Sequence, residues 1–317
     1  MKKACCIIVA CIMAVLLIPL GGCAAPAAQK KEVAAGQSYA AEQSYAERLQ
    51  KCKEQIEAIT DFKPQIVIVL GTGLGDFAKS LDVKQTISYK DIDGWPMSTA
   101  PEHAGNLVFA EYRGLKIAVM QGRLHGYEGY SEQEVVLPLR VLHMLGADTA
   151  ILSNATGSLN LDFHVGEFVC VEDQISSFIP SPLIGQNNDE LGSRFVGMTD
   201  AFDKNMHDTV LKLGEQNNIP VHSGVYIQVT GPQFETPAEI KMYRSLGADT
   251  IAMSMADEVL AARHMGMKVC AINCISNMAA GMEEEGFSEG SVEENMKGVV
   301  PNFQKLVNGL LDSLVGA

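Results

Sequence analysis

Residues 64–77, PQIVIVLGTGLGDF, constrain the fold more than any other stretch: an unbroken aliphatic run stops at a turn carrying three glycines in five residues. A strand with one wet face alternates apolar and polar residues. This one does not, so both of its faces are expected to be buried in a sheet covered by helices on both sides. The chain supplies those helices. Leu49, Cys52, Ile56 and Ile59 recur at helical spacing and predict a first helix from Tyr45 to Ile59. SEQEVVLPLRVLHMLGA opens with Ser131 and Glu134, a capping-box pair, and continues at helical period to Leu145 with a kink expected at Pro138. TPAEIKMYRSLGA repeats the device with Thr236, Pro237 and Glu239, and the terminal SVEENMKGVVPNFQKLVNGLLDSLV is expected to be a helix capped by Ser291 with Glu294.

Between these lie extended segments. NLVFAEYRGLKIAVMQ predicts a hairpin turning at Arg113 and Gly114, and GEFVCVEDQIS, SGVYIQVTG and KVCAINCIS predict further strands. Strands and helices alternate without a fixed repeat, so the fold class is α/β with a mixed sheet. The length suits one folded domain of about 250 to 290 residues. Cys270 and Cys274 sit four residues apart on one extended run, a separation of roughly 13 Å that excludes a disulfide between them. They read as small core hydrophobes, not metal ligands.

The strand ends carry the candidate chemistry. GTGLGDF offers backbone N–H groups and the Thr72 hydroxyl to an anion, although its pattern alone fits a tight strand-exit turn better. GRLHGYEGY is more telling. Arg123 and His125, two residues apart on an extended segment, point to the same side and can converge on one tetrahedral anion. With 24 Lys and Arg against 38 Asp and Glu, the chain carries a formal charge of -14, so an anion is expected to need such local donors. The same balance excludes nucleic acid as a partner. SNATGSLN reads as a second strand-exit turn, AMSMADEV offers Ser254 and SNMAAG offers Asn277 at others. GPQFETPAEI places Phe234 and Glu235 before a capped helix, where a ring face and a carboxylate can hold a flat heterocycle. For Glu235 alone, an acid favoured by the helix dipole is the competing reading. His143, His164, His207 and His264 read as structural or surface residues. Together the loops describe a small-molecule site at one edge of a sheet.

The first residues form a different object. MKKACCIIVACIMAVLLIPLGGC has a Lys pair, an apolar stretch from Ala4 to Leu20 broken by Pro19, then two glycines before Cys23. This resembles a bacterial lipoprotein signal, whose processing box LGGC makes Cys23 the lipidated first residue of the mature chain. An uncleaved anchor is the alternative, for which the run is short. Residues 1–22 are therefore expected to be signal, residues 23–44 an Ala-, Gln-, Lys- and Ser-rich tether, and residues 45–317 the folded domain. The expected location is the outer face of a bacterial cytoplasmic membrane, held by the lipid on Cys23.

GTGLG, STAPEHAGNLVF, GRLHGYEGY, SNATGSLN, GPQFETPAEI, LGADTIAMSMADEVLAARHMGM and SNMAAG, in this order and spacing, resemble the trimeric purine nucleoside phosphorylases. The resemblance runs from about residue 45 to the C-terminus and implies a single-domain α/β fold with a partly barrel-like mixed sheet flanked by helices. It also implies phosphorolysis of inosine, guanosine and their deoxy forms to free base and pentose 1-phosphate, by a homotrimer using inorganic phosphate as co-substrate and no metal or organic cofactor. Carried over by residue, it assigns phosphate to Thr72, His103, Arg123, His125, Ala155 and Ser254, the sugar to Tyr127 and Met253, and the purine to Phe234, Glu235 and Asn277. Catalytic roles fall to His125, Glu235 and Asn277.

Glu235 with Asn277 implies 6-oxopurines, whereas the related methylthioadenosine phosphorylases carry Ser and Asp there. A nucleoside-binding lipoprotein without turnover is the rival of another class. The chain departs from the family pattern at two places: Ser291 stands where a His meets the ribose 5'-hydroxyl, and Leu191 is matched to the Phe that reaches in from a neighbouring subunit. Glu128 and Tyr130 are expected to hold Arg123 and His125 in place.

Overall fold

The computed structural model describes residues 44–100, 103–283 and 289–316. The signal, Cys23 and the tether up to residue 43 lie outside the described residues. Helix α1 (Tyr45–Ile59) starts where the spacing places it, and Ser44 and Glu47 close a capping box over its first turn.

Strand β1 (Ile66–Leu70) is buried throughout, and its two faces feed different cores. Val67 and Val69 pack with Leu49, Cys52 and Ile56 of α1, while Ile66, Ile68 and Leu70 join Phe77, Phe303 and the other core on the opposite face. The absence of alternation in IVIVL is thus accounted for by helices on both sides of the sheet. β2 (Asp82–Ser88), β3 (Asn106–Tyr112) and β4 (Leu115–Gln121) extend the sheet as a meander. Arg113 and Gly114 turn the β3–β4 hairpin at φ 48° and 89°, the left-handed pair that a two-residue turn demands.

The helix beginning after Ser131 departs from its expected course. It divides into α2 (Glu132–Val135) and α3 (Leu137–Met144) at Val136, because Pro138 has no N–H to return to the Glu134 carbonyl. SNATGSLN departs further: it is not a turn. β5 runs unbroken from Thr149 to Ser158, and its hydroxyls are bonded inside the sheet, with Ser153 Oγ donating to Val69 O at 3.0 Å and Thr156 Oγ1 to Cys274 O at 3.4 Å. Small polar residues resemble a turn in sequence, yet here they fill a strand whose neighbours supply acceptors.

The remaining elements are β6 (Phe168–Ile175), α4 (Lys204–Asn217), β7 (Val221–Gln228), α5 (Pro237–Ser245), β8 (Thr250–Ala252), α6 (Ala256–His264), β9 (Lys268–Met278) and α7 (Glu289–Leu314). The strand order is β2-β3-β4-β1-β5-β8-β7-β6-β9, and β9 pairs back onto β5. Five strands therefore close into a barrel from which β1, β4, β3 and β2 extend as an open sheet. Helix α7 begins two residues before Ser291, which lies in its first turn instead of capping it. Cys52, Cys170, Cys270 and Cys274 are free thiols buried in the core.

β1 runs parallel to both β4 and β5, with Leu70 opposite Gln121 and Val69 opposite Leu152. The C-terminal ends of β1 and β4 are thereby level with the middle of β5. Gly71–Thr72, Gly122–Arg123 and Ser153–Ala155 emerge side by side, the place where open α/β sheets bind ligands.

Candidate active site

Two glycines let these strand ends approach. A Cβ on Gly71 would lie 2.6 Å from Asn154 Cα, and one on Gly122, which is held at φ 120°, would lie 2.8 Å from His103 Cβ. The space they bound is a cavity of about 170 Å³. Thr72, His103, Arg123, His125, Tyr127, Ala155, Phe234, Glu235, Met253, Ser254 and Asn277 all line it. Every base, sugar and phosphate residue singled out in the sequence is therefore brought to one cavity.

One corner is a locked network. Arg123 is 1 % exposed. Its guanidinium gives Nε and Nη2 to the two carboxylate oxygens of Glu258, at 3.2 and 2.7 Å, and Nη1 to Ser153 O at 2.5 Å. Of its five N–H donors two remain for a ligand. Glu258 had no place in the sequence reading, where ADEV was only the start of a helix. It changes the electrostatics: its carboxylate cancels the charge of Arg123, so this corner offers an anion aimed N–H groups in place of a net positive field.

The two histidines are neutral. Nδ1 of His103 lies 2.9 Å from Arg123 N and 2.8 Å from Arg123 O. The N–H contact suits the tautomer protonated on Nε2 and the carbonyl contact the one protonated on Nδ1, so the Arg123 main chain accommodates both. Burial, aided by neighbouring His125, lowers the His103 pKa to about 4. In His125, Nδ1 meets Glu128 Oε1 at 2.9 Å and therefore carries the proton, which leaves Nε2 as an acceptor. Burial also holds His125 below the ordinary histidine range. Burial alone would raise the Glu128 carboxyl, but hydrogen bonds from His125 and Thr99 outweigh it and bring the pKa to about 2. The cavity thus has His125 held as an acceptor on Nε2, beside a His103 ring that suits either tautomer.

The supporting role expected of GRLHGYEGY divides. Glu128 does hold His125, through both its main-chain N (3.0 Å) and its ring. Tyr130 does not touch Arg123 or His125. Its hydroxyl exchanges hydrogen bonds with Met97, at 3.1 Å from N and 2.6 Å from O, and so pins the segment leading to His103. Leu124, 1 % exposed, points into a separate apolar cluster with Val135, Val136 and Ala261, which is why its two neighbours face the cavity together.

The opposite side is looser. Asn277 lies near the end of β9, opposite Gly157, where the β5–β9 register shifts. The Ser276 hydroxyl donates to Asn277 Oδ1 at 2.8 Å, while Nδ2 gives one N–H to Met278 O at 3.0 Å and keeps the other. A side chain on Gly157 would crowd this amide, since a Cβ there would lie 3.2 Å from Nδ2. Glu235 is half-buried just before α5, and burial raises its carboxyl pKa. Phe234 is 46 % exposed. Met253 and Tyr127 lie on the cavity wall, with the Tyr127 ring stacked on His125 at 4.5 Å between centroids.

Asn154, Ser276 and Val292 also line the cavity and were not singled out in the sequence. Asn154 is the one with a signal: an amide amid small hydroxyl residues, 2 % exposed, whose Oδ1 has no partner among the described residues. Leu191 does not fit the role matched to it. It is 6 % exposed and packed into the hydrophobic core, whereas Phe195, four residues on in the same loop, is 89 % exposed.

The chain is similar to known proteins along most of its length. The phosphorylase superfamily matches residues 55–312. Purine nucleoside phosphorylase 1 of Bacillus subtilis is 39 % identical over 265 residues, covering 84 % of this chain and 98 % of the relative. The purine nucleoside phosphorylase of Bos taurus is 39 % identical over 256 residues, covering 78 % and 87 %. Among solved structures, Schistosoma mansoni purine nucleoside phosphorylase in complex with inosine superposes with a TM-score of 0.79 at 33 % identity, covering 84 % of this chain and 96 % of that one. The complex of the same protein with adenosine gives a TM-score of 0.80 at 34 % identity.

Proposed function

The chain belongs to the phosphorylase superfamily, and from that premise we propose that it cleaves purine nucleosides with inorganic phosphate, releasing the base and pentose 1-phosphate. The convergence on one cavity of the eleven residues that the family resemblance assigns carries this reading. An anion-binding corner and a base-binding edge face each other across a space lined by Tyr127 and Met253.

Phosphate enters as the hydrogen phosphate dianion. The two free N–H groups of Arg123, the His103 ring, the hydroxyls of Thr72 and Ser254 and the main-chain N–H of Ala155 orient it. Nε2 of His125 accepts a hydrogen bond from its P–OH, which leaves an unprotonated oxygen to attack. A phosphate oxygen then forms a bond to C1' of the sugar as the C1'–N9 bond breaks, and that electron pair moves into the purine. The spare N–H of Asn277 donates to N7 or O6, where the negative charge develops, and Glu235 accepts from the ring N–H. Solvent protonates the departing purine anion and takes up the proton that the new sugar phosphate gives up, so protons balance. A donor at Asn277 and an acceptor at Glu235 fit the edge of inosine or guanosine. None of these steps calls on a metal or an organic cofactor.

The same reading extends to the assembly. We infer a homotrimer in which Phe195, and not Leu191, is the residue offered to a neighbouring sugar pocket, because Phe195 is aromatic and 89 % exposed whereas Leu191 is 6 % exposed. We infer also that Cys23 is lipidated and holds the enzyme on the outer face of a bacterial cytoplasmic membrane. Cys23→Ser is expected to move the protein out of the membrane fraction; unchanged partitioning contradicts lipidation there. The activity is tested by incubating purified protein with inosine, with and without phosphate. Hypoxanthine release only with phosphate is expected, and binding without phosphate-stimulated release would leave a binding protein.

A further inference from the structure

Helix α6 opens with two buried acids, and only one has a counter-ion. Asp257 and Glu258 are each 2 % exposed. Glu258 holds Arg123 through both oxygens. Asp257 Oδ2 accepts from Gln228 Nε2 at 2.8 Å, and its Oδ1 has no partner among the described residues. The same Gln228 accepts the Ala256 N–H on Oε1 at 2.6 Å, so one amide from β7 ties Asp257 to the first turn of the helix. The charged groups facing Asp257 are Glu132 from α2, Glu258 from its own helix and Arg123 from the loop after β4. Tyr226 from β7 stands close by as a neutral phenol, its pKa raised by burial and its hydroxyl bonded to Ser254 O.

We propose that Asp257 is a positioning residue whose protonation sets the charge of the phosphate corner, its neutral form leaving the Arg123–Glu258 pair poised for the anion. With Asp257 neutral, one guanidinium faces one carboxylate. Ionised Asp257 adds a second carboxylate to the turn that carries Glu258, and its field, which Arg123 feels, then opposes an anion held at that guanidinium. Burial pushes its pKa up to about 7, repulsion from Glu132 and Glu258 works in the same direction, and the Gln228 hydrogen bond and Arg123 oppose them. An acid raised to that value is neutral below it and charged above it. Phosphate affinity therefore falls as pH rises through neutrality.

The inference rests on the phosphorolysis reading, and its test separates the two. The KM for phosphate is measured for the wild-type chain and Asp257→Asn from about pH 6 to about pH 8.5. The ionisation of phosphate itself cancels in their ratio. The wild-type KM is expected to match that of the variant at the acid end and to exceed it about fivefold at the alkaline end, with kcat changed less than about twofold. A ratio that stays flat overturns the proposal while phosphorolysis stands; no phosphate-dependent turnover at all removes the reading beneath it as well. Should Asp257→Asn fail to fold, Gln228→Met removes the bond that favours the ionised acid. It should move the inflection in phosphate KM to higher pH relative to wild type, and an unmoved inflection overturns the proposal equally.

Discussion

The two sides of the cavity are built on opposite plans. The phosphate corner is buried and fully engaged: Arg123 is 1 % exposed, and its ion pair, both histidines and Glu128 hold one another through hydrogen bonds of 2.5 to 3.2 Å. The base edge has Phe234 at 46 % exposure and a Glu235 carboxyl without a charged partner. A small tetrahedral anion has one shape, and a rigid seat suits it. Purines vary at their rims, and an edge held by one amide and one acid can be retuned by single substitutions. The difference teaches where binding geometry is stored: in side-chain networks for the anion, and in two adjustable groups for the base.

The largest effect is expected from breaking the rigid side. Arg123→Met removes the two aimed donors and leaves Glu258 buried without a counter-ion. Loss of about a thousandfold in kcat/KM for phosphate is expected, with a stability loss of about 3–5 kcal/mol from the unpaired charge. Steady-state kinetics and urea unfolding check the two parts; a variant that keeps phosphate kinetics within tenfold contradicts the role given to this corner.

Substitution on the adjustable side should redirect the enzyme more than disable it. Asn277→Asp exchanges the spare N–H for an acceptor, so the ratio of inosine to adenosine turnover is expected to fall by about a hundredfold. Unchanged relative rates on the two nucleosides would count against the base contact assigned to Asn277.

Acid should open the two sides in sequence. Glu235 must be ionised to accept from the purine, and its raised pKa means that it protonates at higher pH than an ordinary carboxylate. Hypoxanthine affinity is thus expected to weaken about tenfold per pH unit once pH falls below that raised value, while Glu128, at about 2, still holds His125. Calorimetric titration of hypoxanthine with falling pH measures this. Stability follows its own sign: His103 is lowered from 6.5 to about 4, so its contribution is full above 6.5 and is lost as pH falls through that window. The Glu128 contribution is present above 4.5 and is lost toward 2.

The smallest effect belongs to Tyr130→Phe. Its hydroxyl bonds the main chain of Met97 and reaches neither ligand-facing group, so the cost should be about 1 kcal/mol of stability. A large fall in kcat with stability intact would show a closer link to His103 than the Met97 contact provides.

The same contrast explains what could be read from sequence. Residues that face the ligand were legible because their types match the chemistry: Arg123 and His125 two apart, and Phe234 and Glu235 before a capped helix. Of the residues that hold them, Glu128 could be read because it lies three positions from His125, whereas partners paired across the chain leave no local pattern. Glu258 lies 135 positions from Arg123, and in ADEV it is indistinguishable from an acid placed for the helix dipole. Asp257 was hidden for the same reason. The strand character of SNATGS was obscured by small hydroxyl residues, whose acceptors lie on other strands. Leu191 and Phe195 share one loop, and only burial tells which of them faces outward. The apolar run of β1, by contrast, announced its two covered faces directly.

The central claim is that phosphate held at Arg123, His103 and His125 is the nucleophile. Incubation of the protein with inosine and phosphate, followed by phosphorus NMR alongside hypoxanthine assay, tests it most directly. The expected result is ribose 1-phosphate appearing in equal amount with hypoxanthine, and neither forming without phosphate. Hypoxanthine accompanied by free ribose, at a rate indifferent to phosphate, would make water the nucleophile and contradict the role assigned to the phosphate corner.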